Sequence, residues 1–205
     1  MRLLTTVVAL VAAVSLQAAS PSSAAKAGTW VISGKGVGPY VIGTTGSKAL
    51  KSSLYTKPSK ATACGSRYTV PPAAKGAAGK ALYLTWDYRK HKDWTKSAKL
   101  AGVGVFKAKA KNKSIATKEG ITIGSTVADV EAKVSGVQRT ADLAKYQPLL
   151  AVRSGKRWIN FWIDWGYDYE NPPTSWDQLA GAKVTSIYVG RESYLTQSYF
   201  GSGGC

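Results

Sequence analysis

Four carboxylates fall close together in the last quarter of the chain: Asp164, Asp168, Glu170 and Asp177. Paired carboxylates hydrolyse glycosides or hold calcium. This set lacks the central glycine and closing glutamate of a calcium loop, and nothing around it matches a glycosidase motif. A small hydrolase using the cluster is therefore a third reading behind two non-catalytic ones. The single histidine, His91, lies among lysines in "RKHKDW" with only Asp93 nearby to orient it. A metal site needs several converging ligands and a hydrolytic triad needs a placed histidine, so His91 reads as a solvated side chain. The one Ser-x-x-Lys pattern, Ser23 to Lys26, falls in the leader described below, and "GKGVGPYVIG" lacks the Gly-Lys-Ser/Thr ending of a phosphate loop. The expectation is a protein that is not an enzyme and uses no cofactor or metal.

Two surfaces have the composition of binding sites. Residues 89–118 carry ten Lys or Arg against one acid, Asp93, and Lys107, Lys109, Lys111 and Lys113 alternate within them. As a strand, that piece projects all four ammonium groups from one face. Such a row attracts an anionic cell-wall polymer, anionic lipid or an acidic protein; it equally guards a sheet edge against aggregation. Nucleic acid is disfavoured, because no aromatic residue interrupts the row as a stacking platform. The second surface is "WINFWIDWGYDYENPPTSWDQ", with seven aromatics from Trp158 to Trp176 and no Lys or Arg. Its Trp165, Tyr167, Asp168, Tyr169, Glu170 and Trp176 suit a contact loop, since Tyr and Trp anchor protein interfaces; the bland reading is a tyrosine-rich loop folded over a sheet.

The elements that must carry these residues begin after a leader. Met1-Arg2, an apolar run from Leu3 to Leu16 and small residues up to Ala27 make a secretory signal peptide over 1–27. Removing it takes Arg2 and Lys26 and no acids from a chain of net charge +17, which leaves +15. A secreted protein with two cysteines is expected to bridge them, so Cys64 and Cys205 form the expected disulfide. In the chain-entropy model a loop of that length contributes about 4–5 kcal/mol.

The rest reads as a duplication, with repeat 1 at 28–113 and repeat 2 at 114–205. At an offset of 81, Ile42-Gly43 falls on Ile123-Gly124, Thr45 on Thr126, Ala101 on Ala182 and Val103 on Val184. In each half an extended piece meets a glycine, then a hydroxyl suited to capping a helix. Thr126-Val-Ala-Asp129 has the spacing of a capping box, and Val127, Val130 and Val134 share one helical face. Ser154-Gly155-Lys156 reads as a hairpin turn. The strand around Trp158–Trp165 is apolar on both faces, which predicts cover on both sides or a contact surface. The expected fold is α+β: two similar helix-plus-antiparallel-sheet repeats packed together.

A glycine, a hydroxyl-rich cap, a valine-bearing helix and then strands, given twice in a small secreted chain, resembles the β-lactamase-inhibitory-protein-like group. That group includes tandem inhibitors and single-repeat outer-membrane assembly lipoproteins. Its Gly-Met-Thr motif stands here as Gly43-Thr44-Thr45 and Gly124-Ser125-Thr126, without the methionine. The group's inhibitors carry a disulfide in each repeat, whereas one pair spans this whole chain. No contact motif matches, so no binding residue is carried over. The leading functional expectation is a secreted non-catalytic binding protein acting at the cell envelope or outside the cell, with another extracellular protein or an anionic cell-wall polymer as partner. The alternative implied by the resemblance is a proteinaceous inhibitor of a secreted enzyme.

Overall fold

The computed structural model describes residues 28–63, 66–87, 93–166, 168 and 170–195. The leader expected over 1–27, His91, Tyr167, Tyr169, Cys64 and Cys205, with the bridge expected between the two cysteines, lie outside the described residues.

Strands β1 (Thr29–Ser33), β2 (Gly36–Val37) and β3 (Tyr40–Val41) form a meander that ends at the short helix α1 (Gly46–Leu50). A hairpin of β4 (Ser59–Ala63) and β5 (Ser66–Val70) follows, then β6 (Leu82–Asp87) and β7 (Lys99–Val105). Next come β8 (Lys109–Ala110), β9 (Lys113–Thr117), helix α2 (Val127–Lys133) and β10 (Gln138–Arg139). The chain closes with β11 (Leu149–Ser154), β12 (Arg157–Ile163), a single 3-10 turn at Asp177–Leu179, and β13 (Val184–Gly190). These strands make a five-stranded sheet in the order β3-β2-β1-β9-β8, a six-stranded sheet in the order β10-β11-β12-β13-β7-β6, and the β4-β5 pair.

The expected α+β repeat architecture is overturned. Strands make up 42% of the structure and helices 9%. Helices of five and seven residues cannot supply a helical layer. Nor does each half own a sheet. β7 lies hydrogen-bonded to β13 in one sheet, and β1 pairs in parallel with β9 in the other, Trp30 opposite Ile115. Burial explains the merger: Ile32, Val37 and Ile115 from the smaller sheet share one core with Leu82, Val103, Phe161 and Ile187 from the larger. A short strand pair with one apolar face is marginal alone, so joining sheets covers more apolar surface than two separate units would.

What recurs is local. Gly43 and Gly124 adopt φ of 97° and 91°, a region that suits glycine. Their N–H groups donate to Leu100 O at 2.7 Å and Val184 O at 2.8 Å. Thr45 and Thr126 then cap α1 and α2 through the amides of Lys48 and Asp129. Gly46 N donates to Ala98 O as Val127 N donates to Ala182 O. Ala182 therefore answers to Ala98, not to Ala101. The Thr126–Asp129 capping box is complete, with each side chain on the other's backbone N–H. Val127, Val130 and Val134 are buried together, although α2 already ends at Lys133 and Val134 is extended. The Gly155 hairpin is present, closed by Ser154 opposite Arg157.

Candidate functional site

The six-stranded sheet turns alternate side chains to opposite faces. Its inner face carries Leu82, Leu84, Val103, Val105, Ile187, Val189, Ile159 and Phe161, as the registers β6–β7, β7–β13 and β13–β12 require. Its outer face carries Tyr83 opposite Gly104, Thr85 opposite Gly102, and Tyr188 opposite both Gly104 and Asn160. Two glycines at alternate positions of β7 leave a bare floor in the middle of the sheet. A Cβ on Gly104 would overlap Cε1, Cδ1 and Cζ of Tyr83, and one on Gly102 would overlap the Tyr188 hydroxyl and ring. Each tyrosine ring therefore lies flat across a neighbouring strand, which is how aromatics cover strand glycines.

The rings continue in both directions. Phe106, just past β7, is nearly parallel to Tyr83, at 5.0 Å between centroids and 19° between planes. Tyr83 and Tyr188 are 5.8 Å and 18° apart. Tyr194 meets Tyr188 edge-on at 5.5 Å and Trp162 at 5.3 Å. Five rings thus cross the sheet as a pavement. The Tyr194 end is covered and pinned. Asn160, fully buried, accepts the Tyr194 N–H at 2.9 Å and donates through Nδ2 to Glu192 O at 3.1 Å. The Phe106 end is open: Tyr83 is 40% and Phe106 47% exposed. Burial pushes the phenols of Tyr83 and Tyr194 up, Tyr194 to about 12, so both stay neutral at ordinary pH. The cluster supplies no charge, only aromatic surface at its open Tyr83–Phe106 part. Cations stand at the two ends of β6, beside the open rings. Phe106 N–H bonds Ala81 O at 2.9 Å, which sets exposed Lys107 beside exposed Lys80 at one end. Arg191 pairs with Asp87 at 3.7 Å at the other.

The expected lysine row is not a row. Ala110 pairs with Lys113 around a turn in which Lys111 takes φ of 56°. Lys109 pairs with Ser114, so Lys109 and Lys113 face opposite sides of the β8–β9 hairpin. Lys107 precedes the hairpin and Lys111 sits at its tip. The chain reverses where a single extended strand is needed, and no face gathers all four.

The aromatic and acidic loop forms a groove of about 520 Å³ lined by Asp164, Trp165, Asn171, Pro172, Gln178 and Leu179, among others. Its carboxylates hold the loop itself. Asp164 accepts the Gly166 N–H, and Asp168 accepts the amides of Glu170 and Asn171 and the Asn171 side chain. The Asn171 bonds hold the Asp168 carboxyl below its usual range. Trp176 donates Nε1–H to Thr140 O at 3.1 Å and lies under the Arg139 guanidinium, with its ring packed on the core. It anchors the loop and is not an open contact anchor. Glu170 is exposed, and Trp165 is half-buried in the groove wall. A second groove of about 480 Å³ runs along Val41–Thr45, Lys48 and Tyr55. Among the described residues no group of three or more His, Cys, Asp or Glu gathers as a metal site, and no helix is long and apolar enough to cross a membrane.

The pavement was missed in the sequence. Tyr83, Phe106, Tyr188 and Tyr194 are far apart along the chain and meet only through the sheet order. One signal was there to find: glycines at 102 and 104 inside an apolar strand mark a close approach of another group.

No family model matches the chain, and none of the curated proteins does. Among solved structures it is similar to the uncharacterized protein YfeY from Escherichia coli, at 17% identity and a TM-score of 0.47, over 78% of this chain and 99% of that one. A likeness that distant adds nothing to the chemistry above.

Proposed function

We propose that this is a secreted, non-catalytic binding protein whose contact surface is the open end of the aromatic pavement. One observation carries the reading: Tyr83 and Phe106 are stacked on each other and both open to solvent, with Tyr83 lying across Gly104. Two exposed rings in contact make a contiguous aromatic patch, the kind of surface that marks a contact site. Rigid aromatics lose little conformational entropy on contact, which makes them effective anchors. The leader read over 1–27 supports action at the envelope or outside the cell. The hydrolase alternative gains no support, since Asp164 and Asp168 are engaged as acceptors within their own loop.

Co-sedimentation with purified insoluble cell-wall polysaccharide tests the reading. The wild-type chain is expected in the pellet, and a folded Tyr83→Ala/Phe106→Ala variant in the supernatant. Equal retention of the two, with unchanged circular dichroism, overturns the assignment of the surface.

A further inference from the structure

Resting on that reading, we infer that the ligand is an acidic polysaccharide built of carboxylate-bearing sugar units. The shape of the surface argues for a polymer of sugars. Tyr83 and Phe106 are within 19° of parallel at 5.0 Å, an offset stack, and Tyr83 lies across the Gly104 backbone, so the pair forms a shallow aromatic step and not a pocket. The two grooves described above lie elsewhere, along Val41–Thr45 and along Asp164–Ala182. A protein partner inserts an anchor side chain into a pocket, and this end of the sheet has a floor instead. The C–H face of one pyranose ring stacks on the open part of Tyr83 and Phe106, and the neighbouring units of the polymer pass beside the flanking lysines.

Charge selects the acidic class. The phenols are neutral, so the face repels no anion. Exposed Lys80 and Lys107 flank the Phe106 end, joined by the Phe106–Ala81 backbone bond. Lys99, exposed, stands opposite Asp87 at the other end, where Arg191 already pairs with that acid. Without the leader read over 1–27 the chain carries +15, which adds long-range attraction for a polyanion. Thr85, exposed, shares the outer face with Tyr83 and offers a hydroxyl between the two charged ends. Lysine ammonium groups hold carboxylates as point charges and tolerate the variable geometry of a flexible polymer.

The test titrates the full chain with polygalacturonate, with neutral dextran and with single-stranded oligo(dT), at low and at moderate salt. The expected result is binding to polygalacturonate that weakens about tenfold or more between roughly 50 and 200 mM salt, as counterions are displaced by few contacts. Lys80→Gln/Lys107→Gln should weaken binding about fivefold and flatten the salt dependence, and Tyr83→Ala/Phe106→Ala should remove it at all salts. Equally tight, salt-insensitive binding to dextran that needs the rings overturns the acidic class and leaves the aromatic surface standing. A tenfold preference for oligo(dT) over polygalacturonate overturns it in favour of nucleic acid. Polygalacturonate binding that survives loss of both rings overturns this inference and the surface assignment together.

Discussion

Gly104→Ala probes the pavement at its bed. A methyl group there overlaps the Tyr83 ring, and the ring, 40% exposed, can escape by swinging into solvent. The cost is then lost contact, with little strain. Tyr83 leaves Phe106 at 5.0 Å and Tyr188 at 5.8 Å, and each aromatic pair is worth about 0.5–1.5 kcal/mol beyond its area. Against that loss of roughly 1–3 kcal/mol stands a gain of about 0.5–1 kcal/mol from removing a strand glycine. The net is a destabilisation of about 1 kcal/mol, or roughly 2–4 °C in Tm for a chain of this size. The sign should reverse in a Tyr83→Ala background, where the methyl meets open space and only the backbone gain remains. Urea unfolding of the four proteins closes a double-mutant cycle. A Gly104→Ala cost that is the same with and without Tyr83 refutes the claim that the glycine exists to seat the ring.

Three further outcomes follow from the geometry. Asn160→Ala leaves the Tyr194 N–H and Glu192 O without their buried partner, so it should cost about 1–3 kcal/mol and speed hydrogen exchange at Tyr194; unchanged exchange there contradicts the clamp. Asp93 holds the β4–β5 hairpin through the Thr69 side chain and backbone, the Trp94 amide and Lys60, and these contacts lower its pKa to about 2. Because the folded value is depressed, its stabilising effect is complete above the ordinary carboxyl range near 4 and is lost as pH falls through about 2; an NMR midpoint for its carboxyl near 4 counts against this. Lys111→Gly relieves the φ of 56° at the β8–β9 tip and should raise stability by roughly 0.5 kcal/mol once glycine's own entropy is set against it; a loss measured by thermal melting contradicts the turn geometry.

Local signals survived the passage from sequence to structure. The Thr126–Asp129 box, the valine face behind it and the Gly155 hairpin rest on contacts within a few residues, and each is present. The apolar character of both faces of β12 was also meaningful, because Trp162 and buried Asn160 lie under the Tyr194 segment while Phe161 enters the core. Long-range pairing was not legible. The glycine–hydroxyl turns do recur, yet nothing in "GPYVIG" or "EGITIG" reveals that β1 will pair with β9 or β7 with β13. The alternating lysines failed for a related reason: Lys111 and Asn112 carry no strong turn signature, and the reversal is imposed by pairing of β8 with β9. The aromatic cluster was hidden because its five rings come from β6, the residue after β7, β12, β13 and the segment that follows β13. The densest aromatic run, from Trp158 to Trp176, lies elsewhere, and aromatics in it such as Phe161 and Trp176 serve packing.

The most direct measurement is an amide chemical-shift map of the isotope-labelled chain during titration with a soluble acidic polysaccharide. Perturbations concentrated at Tyr83, Thr85, Gly102, Gly104 and Phe106 are the predicted result. A map centred on the Asp164–Ala182 groove or on the β8–β9 hairpin, with the pavement silent, contradicts it.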